Sequence, residues 1–524
     1  MKLNKTMEKK HSLFAALLSV ILLFASSCSS YLDELPDNRT DLNTEQAIAK
    51  LLVSAYPITS FAMIGEMTSD NTDCNGGTWT SYNLLQEQLA TWKDATEIEN
   101  DSPQSLWEDC YLAIATCNQA LQAIEKMGNP TSLNPQKGEA LLCRAYAHFI
   151  LANVFCQHYS ETNGNKDLGI FYATEPETTV SPSYKRLSVA DTYKKIDKDI
   201  EEGLPLIDDA TYEVPKYHFN KKAAYAFACR FNLYYRNYDK VIEYAEKVLT
   251  ANPSAMLRDW QKAGKLSGNG GIRSNEFVSE RNKATLLVTA CRSSWAYIHG
   301  PFHVGEKYTH NNMISSTESS QANGPWGDKD TYYYDIPEFQ GTTKVIMNKM
   351  YSYFEMSDPV NGIGYNHIMY PAFTTDEILL CRAEAYTMKS DFDKATEDLV
   401  TWIHAFTKTE KTIDRTSISR FYGNMKYYTP EEPTPKKELH PDFTITPGEQ
   451  ENFIHAILHM RRILTMHEGL RWFDVKRYGI EIYRRTVYNN EITVTDKMPA
   501  NDHRRAIQIP QDVINAGMEA NPRQ

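Results

Sequence analysis

Apolar residues recur at spacings of three and four along most of the chain from Thr44 onward, and this pattern predicts a protein built mainly of helices. "TEQAIAKLLVSAY" opens on Thr44, a natural helix cap, and predicts a first helix. Two long amphipathic stretches follow, "SLWEDCYLAIATCNQALQAIEKMG" and "GEALLCRAYAHFILANVFCQHY". The "NPTSLNPQK" between them carries prolines and asparagines that stop one helix and start another, so the pair predicts a helical hairpin. A weak echo runs further. "LLCRAYA" at 141, "FACRFNLYY" at 227 and "LLCRAEAY" at 379 share a Cys-Arg pair on an apolar background, and the last two lead into "YDKVIEYAEKVL" and "FDKATEDLVTWI". Helix, short turn, second helix has the sense of a tetratricopeptide unit, and "TANP" at 250–253 supplies a closing proline. Such units cover one another's apolar faces, which predicts a stacked helical scaffold.

Between these elements the periodicity fails. Ser69 to Asp101 is polar and irregular and predicts an exposed, loop-rich segment around Trp79. Residues 253–370 form a long insertion with "SGNGG", "SSTESSQANGPWGD", the run Tyr332–Tyr334 and short β-like stretches, "ATLLVTA" and "KVIMNKMYSYF". Its Trp and Tyr content argues for ordered functional loops rather than disorder. A second, proline-rich insertion, "YYTPEEPTPKKELHPDFTITPGE", predicts a surface excursion.

Composition narrows the class. With 524 residues, 42% of them hydrophobic, the chain can bury a large core. A formal charge of -12 and the lack of any basic block after the first dozen residues exclude a nucleic-acid partner. The 32 Tyr and 8 Trp exceed what a core needs and point to a recognition surface. The basic "MKLNKTMEKKH", the apolar "SLFAALLSVILLFASS" and the small residues before Cys28 predict an export signal over residues 1–27. Cys28 at its end looks like a bacterial lipobox cysteine, whose acylated thiol becomes the mature N-terminus. A tether over 28–43 and a single domain over 44–524 complete the division, with the protein on a membrane rather than in it. Of the remaining cysteines none forms a CxxC pair or alternates with His at zinc-ligand spacing, and Cys143, Cys229 and Cys381 read as buried thiols. No cofactor or metal site is read.

One stretch resists a bland reading. In "EGLRWFDVKRYG", Glu468, Arg471, Asp474 and Arg477 recur every third residue among Leu470, Trp472, Phe473, Val475 and Tyr478, the pattern of a helix buried all round. Buried charges must be paired, so the four predict a structural ion network, within the helix and with neighbours such as Arg461 or Arg462. A catalytic pair made of Glu468 and Asp474 is rejected on the expectation that Arg471 and Arg477 depress both pKa values.

With "RRILTMHEGLRWFDVKRYG" behind helical hairpins, "CSSYLDELPDN" at the start and "AIQIPQDVINAGMEANP" at the end, nearly the whole mature chain resembles the SusD/RagB family of outer-membrane nutrient-binding lipoproteins. Matching positions include Cys28, Tyr31, Asp33 and Pro36, Trp107, Cys110 and Tyr111, Glu377 and Glu384, and Glu468, Gly469, Arg471, Trp472, Asp474, Arg477 and Gly479. Met460, Leu464, Thr374 and Ala520 depart from the family pattern. The resemblance implies a mostly α, SusD-like scaffold with loop-rich insertions. It further implies a non-catalytic receptor that binds an oligosaccharide, sits on the outer membrane through lipid at Cys28, and passes its ligand to a SusC-like TonB-dependent transporter.

Sugars present apolar C–H faces to flat rings and hydroxyls to amides and charges. Asn71, Asn75 and Trp79, then Arg292, Trp295 and Tyr297, then Trp326 near Asn323 and Asp328, all in predicted loops, have that composition and are the expected ligand contacts. His299, His303 and His310 near Glu306 read as solvated loop histidines. A peptide or other nutrient remains the alternative ligand. A hydrolase, for which no GxSxG or HExxH is present, and a bare adaptor rank below it.

Overall fold

The computed structural model describes residues 42–177, 184–489 and 491–523. The predicted signal peptide, Cys28 and nearly all of the tether therefore lie outside the described residues. Thr44 does begin the first helix, Glu45–Leu52, its Oγ1 accepting a hydrogen bond from Ala47 N at 3.2 Å. Residues Ile48–Gln524 form one compact unit.

The proline-bearing link behaves as read: helix Pro103–Lys126, started by Ser102 as cap with Pro103 in its first turn, packs against Asn134–Phe155. Val189–Gly203 covers the next face. Two further hairpins follow, Lys221–Tyr234 with Tyr238–Leu249 and Thr375–Met388 with Phe392–Phe406. Their turns are alike. A left-handed residue, Arg236 (φ 65°) or Ser390 (φ 62°), precedes a cap, Asn237 or Asp391, whose side chain accepts from the backbone three residues on. The Cys-Arg echo has a physical use. Cys143, Cys229 and Cys381 fill the core, while Arg144 grips Asp199 (2.7 Å), Arg382 grips Asp398 (2.6 Å) and Arg230 grips Glu377 (2.6 Å), tying each helix to a neighbour. The helices give a mostly α scaffold with small sheets, as the spacing predicts.

Among the described residues seven strands lie in two sheets. They are β1 (Asp73–Cys74), β2 (Thr285–Arg292), β3 (Tyr308–Thr309), β4 (Tyr353–Asp358), β5 (Ile363–Thr374), β6 (Ile482–Tyr488) and β7 (Glu491–Met498). One sheet has the order β2-β5-β4, the other β3-β1-β6-β7. In the second, Asp73 lies opposite Thr309 and Cys74 opposite Thr486, so an early segment, the long insertion and the C-terminal region meet in one ladder. "ATLLVTA" supplies most of β2 as expected, whereas "KVIMNKMYSYF" enters a strand only at Tyr353. The long β5 and the β6–β7 hairpin were not anticipated. Nor is the Trp79 segment uniformly exposed: residues 69–76 are buried apart from a half-buried Cys74.

The charged stretch is more dispersed than its spacing predicts. The helix is only Arg471–Arg477, because His467 (φ 70°) and Gly469 (φ 80°) turn the chain just before it. Gly469 is required there: besides its positive φ, a Cβ on it would lie 2.8 Å from Ala62 Cα of helix Ala62–Thr68, and a Cβ on Gly65 of that helix would in turn collide with the Gly469 carbonyl. Only Asp474 and Arg477 (3.1 Å) pair within the helix. Arg471 clamps Asp70 with two bonds (2.8 and 2.9 Å), Asp474 also holds Arg461 (2.8 Å), and Glu384 receives Arg461 (2.5 Å), Arg477 and the Tyr478 hydroxyl (2.6 Å). Glu468 pairs with Lys349 (2.6 Å). The expectation that arginines depress Glu468 is therefore corrected. Burial raises its carboxyl above the ordinary value, and Lys349 offsets this only in part, since Arg471 is committed to Asp70. The proline-rich insertion runs at the surface as expected, with two exceptions. Lys436 and Lys437 turn inward, and Lys437 reaches Glu318 at 2.6 Å.

Asp474→Asn leaves two buried guanidiniums sharing Glu384, and it is expected to destabilise the fold by about 3–5 kcal/mol in equilibrium unfolding; an unchanged melt contradicts the assignment. Burial alone would raise Glu384, but Arg477 and Arg461 hold its carboxyl at about 2, below the ordinary 4.5. A depressed carboxylate contributes stability that is complete above about pH 4.5 and lost as pH falls toward 2. Over that window Glu384→Gln should lose less stability than the wild type, measured as the slope of unfolding free energy against pH.

Candidate functional site

Two irregular segments far apart in sequence are held side by side by buried carboxamides. Asn75 N donates to Lys307 O (2.8 Å) and Lys307 N to Thr80 O (3.1 Å). The Asn75 side chain donates to Glu306 O (2.6 Å) and Thr309 Oγ1 (2.8 Å) while accepting from Asn311 (3.0 Å). Gln86 is fully buried. Its Oε1 accepts from Tyr82 N (2.6 Å) and its Nε2 donates to Gly305 O and Tyr308 O (both 3.0 Å). Satisfied buried amides of this kind extend the short β1–β3 pairing into the irregular chain beyond it.

The result is a short run of partly exposed rings. Tyr82 meets Tyr297 edge-on at 6.1 Å between centroids, and Tyr297 lies tilted on Phe302 at 4.6 Å. Trp79, also partly exposed, lies in the same segment as Tyr82. Nearby in sequence, exposed Arg292 lies over the Tyr365 ring at 4.8 Å, giving a cation beside a second aromatic face. Flat apolar faces beside donors suit a ligand with C–H surfaces and hydroxyls.

The expected contacts divide. Trp79, Arg292 and Tyr297 reach solvent. Trp295 (2% exposed) and Trp326 (0%) do not, and the expectation that they stand exposed on loops is corrected. Trp295 packs on His299 (4.9 Å) and donates Nε1 to His467 O (2.8 Å), bracing the turn before Glu468. Trp326 fills a nest of Trp402, His459 and Tyr332. A loop without periodic apolar residues buries its largest ring to gain a core, which is why both Trp turn inward. Asn71 and Asn75 are likewise structural, Asn71 bridging Glu66 (3.0 Å) and Arg462 (2.8 Å). His299 and His310 are buried rather than solvated. Burial pushes both down to about 3, so they are neutral, whereas His303 is exposed. Among the described residues no group of three or more His, Cys, Asp or Glu is arranged to hold a metal.

Tyr82, Phe302 and Tyr365 were missed as site residues. Tyr82 shares the polar Trp79 segment, and Phe302 follows Gly300 and Pro301, which is at least a loop signal. A separate cleft of about 900 Å³ is lined by Trp107, Tyr111, Phe171 and Tyr184 with Glu108 and Glu175 on its wall.

Two family models match the chain. One, SusD-like, described as "Starch-binding associating with outer membrane", takes residues 30–233, and the SusD family model takes 302–516, so that together they span most of the sequence. Among solved structures, a SusD superfamily protein from Bacteroides thetaiotaomicron superposes with a TM-score of 0.63 at 18% identity, covering 92% of this chain and 100% of that one. A putative sugar binding protein from Bacteroides vulgatus gives 0.65 at 19% over 92% and 99%. A SusD-like carbohydrate binding protein, also from Bacteroides vulgatus, gives 0.61 at 16% over 90% and 96%. At these identities the likeness establishes the fold. No curated protein matches the chain.

The division of rings is measurable as stability. Trp295→Ala should cost about 3–5 kcal/mol in chemical unfolding. Trp79→Ala, on a partly exposed side chain, should cost about 1 kcal/mol or less. Equal losses would contradict the assignment of Trp295 to the core.

Proposed function

The chain belongs to the SusD/RagB family, and on that footing we propose that it is a non-catalytic surface receptor that captures an oligosaccharide on the Tyr82–Tyr297–Phe302 rings. Trp79 and the Arg292–Tyr365 pair extend that surface. The observation that carries this reading is the set of three contacting rings left partly open to solvent on loops whose backbones are otherwise pinned. Carbohydrate binding is the general property of the family, and its model is described as starch-binding and associated with the outer membrane.

Lipid on Cys28 keeps the receptor at the cell surface, and a SusC-like TonB-dependent transporter accepts its ligand. Nothing in such a receptor requires bond cleavage. Glu468, with the strongest claim to an acid's raised pKa in the charged stretch, is sealed behind Lys349 and is 5% exposed.

Titration calorimetry with a panel of oligosaccharides and peptides tests the ligand class. Saccharide binding without product release on prolonged incubation is expected. Tyr297→Ala and Tyr82→Ala should each weaken the binding saccharide by about tenfold, or 1.4 kcal/mol, at unchanged melting temperature. Binding of peptides alone, or wild-type affinity in both variants, would overturn the reading.

A further inference from the structure

The loop that carries Phe302 belongs to no sheet, yet three of its carbonyls, with that of Ile298 in the helix Trp295–His299 before it, aim at one point. Phe302 N donates to Gly300 O (2.8 Å) and Val304 N to Phe302 O (2.9 Å), so residues 300–304 run as successive three-residue turns. Such a run directs alternate carbonyls to the same side. Those of Ile298, Gly300, Phe302 and Val304 converge on Lys344 Nζ at 2.8, 3.4, 2.8 and 3.0 Å. Lys344 is 1% exposed, and its own backbone is fixed, since Phe339 N donates to Lys344 O (2.7 Å) and Lys344 N to Thr342 Oγ1 (3.1 Å). No carboxylate lies within ion-pair distance of its ammonium among the described residues.

A buried ammonium without a counter-ion is an expensive device, and burial indeed draws its pKa down to about 8, with Glu306 pulling the other way. It persists because neutral carbonyl oxygens take every proton it offers. Three N–H groups serving four carbonyls is the arrangement by which backbone oxygens cage a small cation. Without the ammonium, Gly300 O and Phe302 O keep only the turn bonds from Phe302 N and Val304 N, and all four carbonyls lose the common centre toward which the loop winds.

We propose that Lys344 is the positioning residue of the ring platform, an internal cation that winds residues 298–304 and so sets Phe302 against Tyr297, and that the cage it fills will accept a free monovalent cation in its place. The consequence for ligand binding rests on the glycan reading above; the winding of the loop does not.

Two readouts keep those apart: amide hydrogen exchange over residues 299–305, and calorimetric affinity for whichever saccharide binds the wild type. In Lys344→Met, exchange at Phe302 and Val304 should accelerate by at least about tenfold while amides of helix Thr375–Met388 stay protected. Saccharide affinity should fall by about tenfold through the loosened ring pair. In Lys344→Ala, ammonium or methylammonium chloride should restore both, and tetramethylammonium chloride, which has no N–H and is too large for the cage, should restore neither.

Unchanged exchange in Lys344→Met overturns the proposal, as does a loosened loop that binds saccharide as the wild type does. Equal response to the two classes of salt overturns the cage. If the wild type binds no saccharide, the glycan reading fails while the exchange arm still decides the tie. If Lys344→Met does not fold, Lys344→Gln, whose carboxamide keeps two donors, is read in the same way.

Discussion

A guanidinium or carboxylate taken out of water must find its opposite inside the protein, and here that requirement joins parts of the chain that sequence holds far apart. Arg471 and Asp70 are separated by 401 residues and bonded twice. Around them Arg462 reaches Asp70 and Glu318, Lys437 reaches both as well, and Arg485 bridges Asp73 and Glu318. Any one of these charges left alone would cost several kcal/mol, so the network holds as a unit or not at all. It draws the early segment, the long insertion, the proline-rich excursion and the C-terminal helices to a common centre.

The platform is built outward from that centre. Asp70 and Asp73 fix the chain that enters β1, β1 pairs with β3, and the amides of Asn75 and Gln86 carry the constraint to the backbone of Tyr82 and of residues 305–308. Lys344 extends the same logic to 298–304 by another device, an ammonium answered by carbonyls instead of a carboxylate. The aromatic residues divide accordingly. Trp295 and Trp326 supply the core that an irregular segment lacks, and smaller rings beside them face outward.

Legibility in the sequence followed the range of the interaction. The hairpins could be read because helix spacing and proline breaks are local, and the repeated Cys-Arg pair has a shared use, each arginine holding a carboxylate on a packed helix, the next in sequence for Arg144 and Arg382 and a distant one for Arg230. The buried character of Glu468 to Arg477 could be read from the ring of apolar residues around it. Its partners could not, because Asp70, Lys349 and Glu384 carry no local mark of the pairing. Both loops chosen for a site do carry partly exposed rings, but ring size is a poor guide to which ones: Trp295 and Trp326 are those the fold buries. The β6–β7 hairpin had a signal that went unused, alternating residues on both sides of Asn489 and Asn490. Lys344 had none, since a lone lysine in "GTTKVIM" reads as solvated until four carbonyls are seen around it.

The receptor account comes down to where a sugar rests, and a crystal structure with the best-binding oligosaccharide decides it. The prediction is a sugar ring within about 4 Å of Tyr82, Tyr297 or Phe302 with hydroxyls toward neighbouring polar groups. A saccharide seated in the cleft of Trp107, Tyr111, Phe171 and Tyr184, with the three rings bare, would contradict it.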